Sequence, residues 1–395
     1  MRYPLRWHWS LDPEIRFLNH GSFGATPRVV QEEQSRIRAE IEREPVRFLA
    51  RELEGRIDAV RAELAPFLGV APEDLVPVAN ATTGVNAVVR SLPLAAGDEI
   101  LVTDHGYNAC KNACEFAAAR AGARVVVARV PFPLGDPQEV VAAVLAAVTP
   151  RTRLALLDHV TSPTGLVFPI ETLVRALAER GIDTLVDGAH APGMLPLAIA
   201  ELGAAYYTGN LHKWVCAPKG AAFLWARRDR QAGLRPPVLS HGANSPRTDR
   251  SRFRLEFDFT GTDDPSAFLA VPACLRFLRE LVPGGFEALC RQNRALVLAG
   301  RARLCAALDI PPPAPESMIG TLATVPLPPG PPGFRPDAFA VDPFQQLLFE
   351  RHRIEVPVFT WPAPPARLIR ISAQAYNELE EVEALAAVLG ERTVG

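Results

Sequence analysis

The chain has 395 residues, of which 48% are hydrophobic and 22% charged, with a formal net charge of −2. That is the balance of a soluble globular protein with room for one large and one smaller domain. No basic block stands out and no uncharged apolar run approaches the length of a membrane span, so neither nucleic acid nor a membrane is an expected partner.

Residues 1–9 hold no apolar core of signal-peptide length, and a cytoplasmic location is expected. Six cysteines are scattered without metal-ligand spacing. Cys110 and Cys114 lie four apart in a helix-like stretch and read as free thiols in a reducing compartment, so no metal is expected. Prolines gather at boundaries, as in 311–313 and 328–332, and mark loops.

In chain order, 28–68 reads as charge-rich helix broken near Pro45. From 75 to 225 strand-like and helix-like segments alternate. The strand-like runs are 75–78, 99–103, 124–130, 154–158, 184–187, 205–208 and 221–225. Helical periodicity covers 108–121, 137–147 and 170–180. These are βα units around a mostly parallel sheet, and ligand sites in such sheets gather at the carboxyl ends of the strands. The segment 265–308 is helical again. The last part, 310–395, mixes Pro-rich turns, short strands at 321–325 and 368–372, and a final helix from Glu378. The expected fold is α/β. A large domain spans 31–280, a small α+β domain spans 281–395, and an N-terminal segment over 1–30 packs with the small one.

Lys213 follows an apolar run and a small polar turn, between His212 and Trp214, in a chain whose basic residues are overwhelmingly arginine. A lysine becomes a useful nucleophile only when buried or held as an imine. The plain alternative is a surface lysine. Lys219, in Pro218-Lys219-Gly220, is a rival that reads as a turn. Asp187 ends the apolar run 185–187 and is followed by Gly188 and His190. It is either a strand-end turn residue or a carboxylate that keeps a pyridine nitrogen protonated. An imine-forming lysine and such a carboxylate are the two parts a pyridoxal 5′-phosphate enzyme needs. Ala81, Thr82 and Thr83 open a helical run after a strand and offer N–H groups to a phosphate, unless Thr is only an ordinary cap. Tyr107 or His105, after strand 99–103, could stack on the cofactor ring.

The segments 17–24, 80–84, 158–165, 187–190 and 209–213 occur in the order found in class V aminotransferases, of fold type I. The chain is identified as a member of that family over about residues 15 to 385. The segments 44–48, 216–220 and 370–377 resemble its isopenicillin N epimerase-like branch. The resemblance implies a homodimer with pyridoxal phosphate near the subunit boundary. Lys213 would form the imine, Asp187 would hold the pyridine nitrogen and His190 the phenolic oxygen. Ala81, Thr82 and Thr83 would bind the phosphate, helped by Asn210 and His212 and by Gly261 and Thr262 from the partner. Tyr107 would stack on the ring and could serve as a second proton donor. Arg370 would grip the substrate carboxylate, where a planar bidentate donor suits an amino acid. Asn19 and His20 would lie with the substrate. Cysteine desulfurases of the family carry a catalytic cysteine before that arginine, but 356–365 holds none here, which argues against persulfide chemistry by that route. The expected activity is amino-acid epimerisation. The alternatives are a carbon–sulfur lyase acting on a cysteine conjugate or sulfoxide, and an aminotransferase. The intact site motifs argue against a non-catalytic scaffold.

Overall fold

The computed structural model describes residues 5–331 and 341–393. Met1–Pro4 of the opening segment and Pro332 of the second proline cluster lie outside them. Seven strands form the central sheet: β1 (Leu75–Val78), β2 (Glu99–Thr103), β3 (Arg124–Ala128), β4 (Thr152–Asp158), β5 (Asp183–Asp187), β6 (Tyr206–Asn210) and β7 (Ala222–Ala226). They lie side by side in the order β1-β7-β6-β5-β4-β2-β3. Neighbours are parallel except that β7 runs antiparallel to both β1 and β6. The cause is the connection 211–221. It holds no helix and is too short for a parallel crossover, which needs a dozen or more residues. The chain must turn straight back, so Lys213 sits in a tight loop at the carboxyl end of β6.

Side-chain alternation along β4 explains the layering. Ala155 and Leu157 face one apolar cluster with Val140 and Val144 of helix Pro137–Ala146 and Leu173 and Leu177 of helix Ile170–Ala178. Leu154 and Leu156 face the other, with Val85 and Val88 of helix Ala81–Ser91 and Cys114 and Ala118 of helix Asn108–Ala121. A sheet covered on both faces must bury every residue of its inner strands. β2, β6 and β7 do so throughout.

A second sheet is antiparallel, with β9 (Val358–Thr360), β10 (Arg367–Ser372) and β8 (Leu322–Leu327) in that order. Helix Gly285–Leu308 packs on β8 and on helix Leu379–Thr393. Near the start of the chain Arg16–Phe17 pairs parallel with Ile354–Glu355. The helical run expected over 265–308 is three helices, Ser266–Leu269, Val271–Glu280 and Gly285–Leu308. It is broken after Pro283, where Gly284 and Gly285 take φ of 87° and 67°, values that favour glycine. β9 adds a strand to the two expected in the last part of the chain.

Gly24 ties the opening segment to the lysine loop. Its φ is 70°, and a Cβ there would lie 2.0 Å from the His212 carbonyl oxygen and 3.0 Å from Lys213 Cα. Both neighbours are backbone and cannot swing aside. Gly24→Ala is therefore expected to destabilise the protein by about 1–3 kcal/mol, the usual cost of overpacking, and to lower cofactor loading. Denaturant unfolding and visible absorbance would measure the two effects.

Candidate active site

A cleft of about 760 Å³ opens at the carboxyl ends of β1, β4, β5 and β6. Its walls include Thr82, Tyr107, Asp158, Asp187, His190 and Lys213. Lys213 Nζ lies 3.0 Å from His190 Nε2. Burial, then the charge of Arg370, brings the Lys213 amine down to about 7 from its usual 10.5. Taking an ammonium out of water penalises its charged form. No described carboxylate forms an ion pair with it, and the charge of nearby Asp187 opposes the lowering without cancelling it.

Asp158 and Asp187 are register partners on neighbouring parallel strands, so they project from the same face of the sheet. Asp187 accepts from the Cys110 thiol at 3.1 Å and the Ala189 N–H at 2.9 Å. Burial raises its carboxyl; those donors and the Lys213 charge oppose the rise. Asp158 lies well above the ordinary carboxylate range because of burial and then the charge of Asp187. Like charges in one dry site cannot both ionise readily. Backbone donors and the Lys213 charge oppose the rise at Asp158 as well, but they leave it well above its ordinary range, so Asp187 is the ionised member.

Arg370, on β10, is 1% exposed. Its guanidinium donates to the Ser162 carbonyl oxygen and approaches Ser162 Oγ and Ser22 Oγ, each at 3.4 Å. Its carbon lies 4.9 Å from the centre of the Phe359 ring. Among the described residues Nε has no partner and no carboxylate forms an ion pair with the side chain. Burial lowers its pKa to about 10, so it stays charged at neutral pH.

Helix Ala81–Ser91 begins at the cleft wall. Asn80 caps it by accepting from Thr83 N–H at 2.8 Å. Asn210 Oδ1 accepts from Ala81 N–H, also at 2.8 Å. Two of the N–H groups expected to face a phosphate are thus already engaged, and Asn210 reaches the helix directly. Thr82, Thr83, Asn210 and His212 all line the cleft. Tyr107 also lines it and is 48% exposed, whereas His105 is fully buried, bonded through its two ring nitrogens to Thr164 Oγ1 and the Val130 carbonyl. Of the two candidates for stacking, only Tyr107 reaches the cleft.

Asn19 and His20 lie behind the cleft wall. Asn19 Nδ2 donates to Glu355 at 2.9 Å and its Oδ1 accepts from Ser22. His20 lies between Tyr376 Oη and the Lys213 carbonyl. Thr262 is exposed and does not line this cleft. Its neighbour Gly261 lines a second cavity of about 550 Å³ that shares Thr83, Lys219, Gly220 and Val238 with the first. Sequence reasoning gave no role to Asp158, Cys110, Ser22 or Ser162. Of these, Asp158 carried a legible signal, an aspartate closing a strand as Asp187 does.

The Aminotransferase class-V family profile matches residues 19–309. The chain belongs to that family. It is 39% identical over 396 residues to the isopenicillin N epimerase of Amycolatopsis lactamdurans, covering 97% of this chain and 96% of the other. A probable chloroplastic L-cysteine desulfhydrase of Arabidopsis thaliana is 30% identical over 398 residues, with 95% and 82% covered. A cystine C–S lyase solved with its product cysteine persulfide shares the fold, with a TM-score of 0.79 at 24% identity, covering 96% and 98%.

This class V chain is an enzyme whose cofactor is pyridoxal 5′-phosphate. The cleft fits that group on its own chemistry. It offers a partly buried lysine amine with no described carboxylate paired to it, and a buried aspartate held by two donors. A capped helix begins beside them.

The depressed Lys213 amine has a consequence for stability. Unfolded chains bind a proton at this lysine up to about pH 10.5, folded ones only up to about pH 7. The cost is fully present below the folded value and vanishes above the unfolded one. In cofactor-free protein, Lys213→Met should therefore be more stable than wild type near neutral pH, with the difference shrinking as pH approaches the unfolded value. Urea midpoints across that range would measure it.

Proposed function

We propose that this enzyme exchanges the Cα proton of an amino acid and returns it on the opposite face, an epimerase reaction like that named for its relative in Amycolatopsis lactamdurans. The observation that carries the reading is a pair of bases in different charge states. Arg370 keeps a buried charge with no carboxylate paired to it among the described residues, while the Lys213 amine is poised to lose its proton near neutral pH. The first suits a carboxylate and the second suits proton abstraction.

Bound pyridoxal phosphate supplies an aldehyde that captures amines and a ring that accepts the electron pair left at Cα. Lys213 Nζ would hold the cofactor through its amine and, once freed, would take the Cα proton. Asp187 would face the pyridine nitrogen and keep it protonated. His190 would lie at the phenolic oxygen. Thr82 and Thr83, with Ala81, Asn210 and His212 around the helix start, receive the phosphate. Arg370, flanked by Ser22 and Ser162, orients the substrate carboxylate. Tyr107 Oη keeps its proton, since burial and nearby acidic groups push its phenol above the usual value, and can deliver it opposite Lys213.

A carbon–sulfur lyase is the second reading, favoured by the likeness to an L-cysteine desulfhydrase. An aminotransferase is the third. The working unit is a homodimer. Phe23 and Val238 line the cleft yet are 73% and 59% exposed, an apolar mouth that a second copy would cover, bringing its Thr262 toward the phosphate. The compartment is the cytoplasm. No described helix is long and apolar enough to cross a membrane.

Purified protein should be yellow, and Lys213→Ala should lose the visible band. Amino acids and cysteine conjugates incubated in heavy water separate the reactions. Deuterium at Cα with inverted chirality supports the epimerase, pyruvate with ammonia the lyase, and keto acid formed only with an acceptor the aminotransferase. Arg370→Met should lower kcat/KM about a hundredfold or more, the loss expected for two charge-assisted hydrogen bonds. Tyr107→Phe should abolish inversion while Cα exchange with solvent continues; inversion at the wild-type rate would remove Tyr107 from the mechanism.

A further inference from the structure

Two histidines hold Lys213, and the hydrogen-bond inventory fixes the tautomer of each. His20 Nε2 lies 3.0 Å from the Lys213 carbonyl oxygen, which can only accept. That nitrogen therefore carries the hydrogen, and His20 Nδ1 accepts from Tyr376 Oη at 2.7 Å. His190 Nδ1 accepts from the indole N–H of Trp214 at 3.4 Å, and an indole can only donate. The hydrogen of neutral His190 must then sit on Nε2, 3.0 Å from Lys213 Nζ.

That arrangement decides the state of the amine. A protonated Lys213 would bring an ammonium, which only donates, against a ring N–H. A free amine has a lone pair that the ring N–H can reach. His190 cannot escape by becoming an imidazolium, because it is 2% exposed and burial disfavours its charged form. Nor can it readily turn over. Trp214 is fully buried, its ring 4.9 Å from that of His20, and its backbone is pressed by Gly193, where a Cβ would lie 2.3 Å from the Trp214 carbonyl carbon.

We propose that Trp214 is a positioning residue: its indole N–H locks His190 as the Nε2–H tautomer, and that N–H holds Lys213 as a free, nucleophilic amine. The other groups acting on Lys213 are Arg370 on β10, Asp187 on β5, Asp158 on β4 and Cys110 on helix Asn108–Ala121. Arg370 acts in the same direction as the lock, and Asp187, the charged member of the acidic groups, opposes it. The consequence for cofactor capture rests on Lys213 being the attachment lysine. The lock itself is independent of which reaction follows.

The test uses the full-length chain freed of cofactor. In wild type, nitrogen NMR should find His190 Nδ1 unprotonated and Nε2 protonated across neutral pH. The opposite tautomer, or an imidazolium, would overturn the proposal whatever any variant does. Trp214→Phe removes the N–H and keeps an aromatic ring. With the lock gone, His190 Nε2 can accept from the ammonium. The midpoint of Lys213 reactivity toward an amine-labelling reagent should rise by about one pH unit, a tenfold loss of free amine below the midpoint. An unchanged midpoint in a folded Trp214→Phe protein would overturn the proposal. Tyr376→Phe disturbs only the histidine at the Lys213 carbonyl and should leave the midpoint in place. An equal shift there would reveal general loosening and sink the specific role of Trp214.

Discussion

Withdrawing one lysine amine from water is the constraint around which this site is arranged. A buried ammonium is expensive unless paired, and no carboxylate among the described residues is paired with Lys213. The fold meets the cost by letting the amine lose its proton, and several elements contribute. The short return from β6 to β7 turns the loop inward. Gly24 lets the opening segment lie against the His212 and Lys213 backbone. Burial and the Arg370 charge then act together on the amine. A crossover helix after β6 would have removed the tight turn that holds the lysine at the end of the strand.

Arg370 shows why the two bases are not interchangeable. A guanidinium cannot shed its proton at neutral pH, so the same burial that brings the Lys213 amine down to about 7 leaves Arg370 charged. Its partners are a carbonyl, two serine hydroxyls and the face of Phe359. Those contacts position the cation without discharging it. The carboxylate pair at the ends of β4 and β5 is the reverse case. Strand register forces Asp158 and Asp187 together, and the stronger upward push on Asp158 lets the pair carry its charge on Asp187.

Much of this was legible in the chain itself. Strand β2 and helix Asn108–Ala121 have the bounds that alternation and periodicity predict, because period-2 and period-3.6 patterns are local. Lys213 and Asp187 stood out because each follows an apolar strand. What was hidden depends on distant partners. β9 is three residues among prolines and exists through its pairing with β10. His20 belongs to a motif that suggested substrate contact, but its bond to the carbonyl of a residue 193 positions away makes it a support for the lysine loop. The missing counter-ion of Arg370 is a property of what surrounds it in space.

The remaining thiols bear on which family chemistries the site can support. The stretch in which desulfurases of the family carry a cysteine is here strand β9 followed by Trp361. The Trp361 indole donates to the Asp104 carbonyl oxygen at 3.1 Å, and its ring lies 4.7 Å from that of His105. A loop fastened to the wall in this way is poorly suited to carry sulfur to and from a substrate. Cys110 is the thiol at Asp187, and it is spoken for. Its hydrogen goes to that carboxylate, and burial with the negative charge of Asp187 drives the thiol well above its ordinary range. The nucleophile in such chemistry is the thiolate, and the charge that Asp187 would need in its proposed role at the ring nitrogen is the charge that suppresses a thiolate at Cys110. In this cleft the conditions that suit proton exchange at Cα therefore work against a sulfur nucleophile.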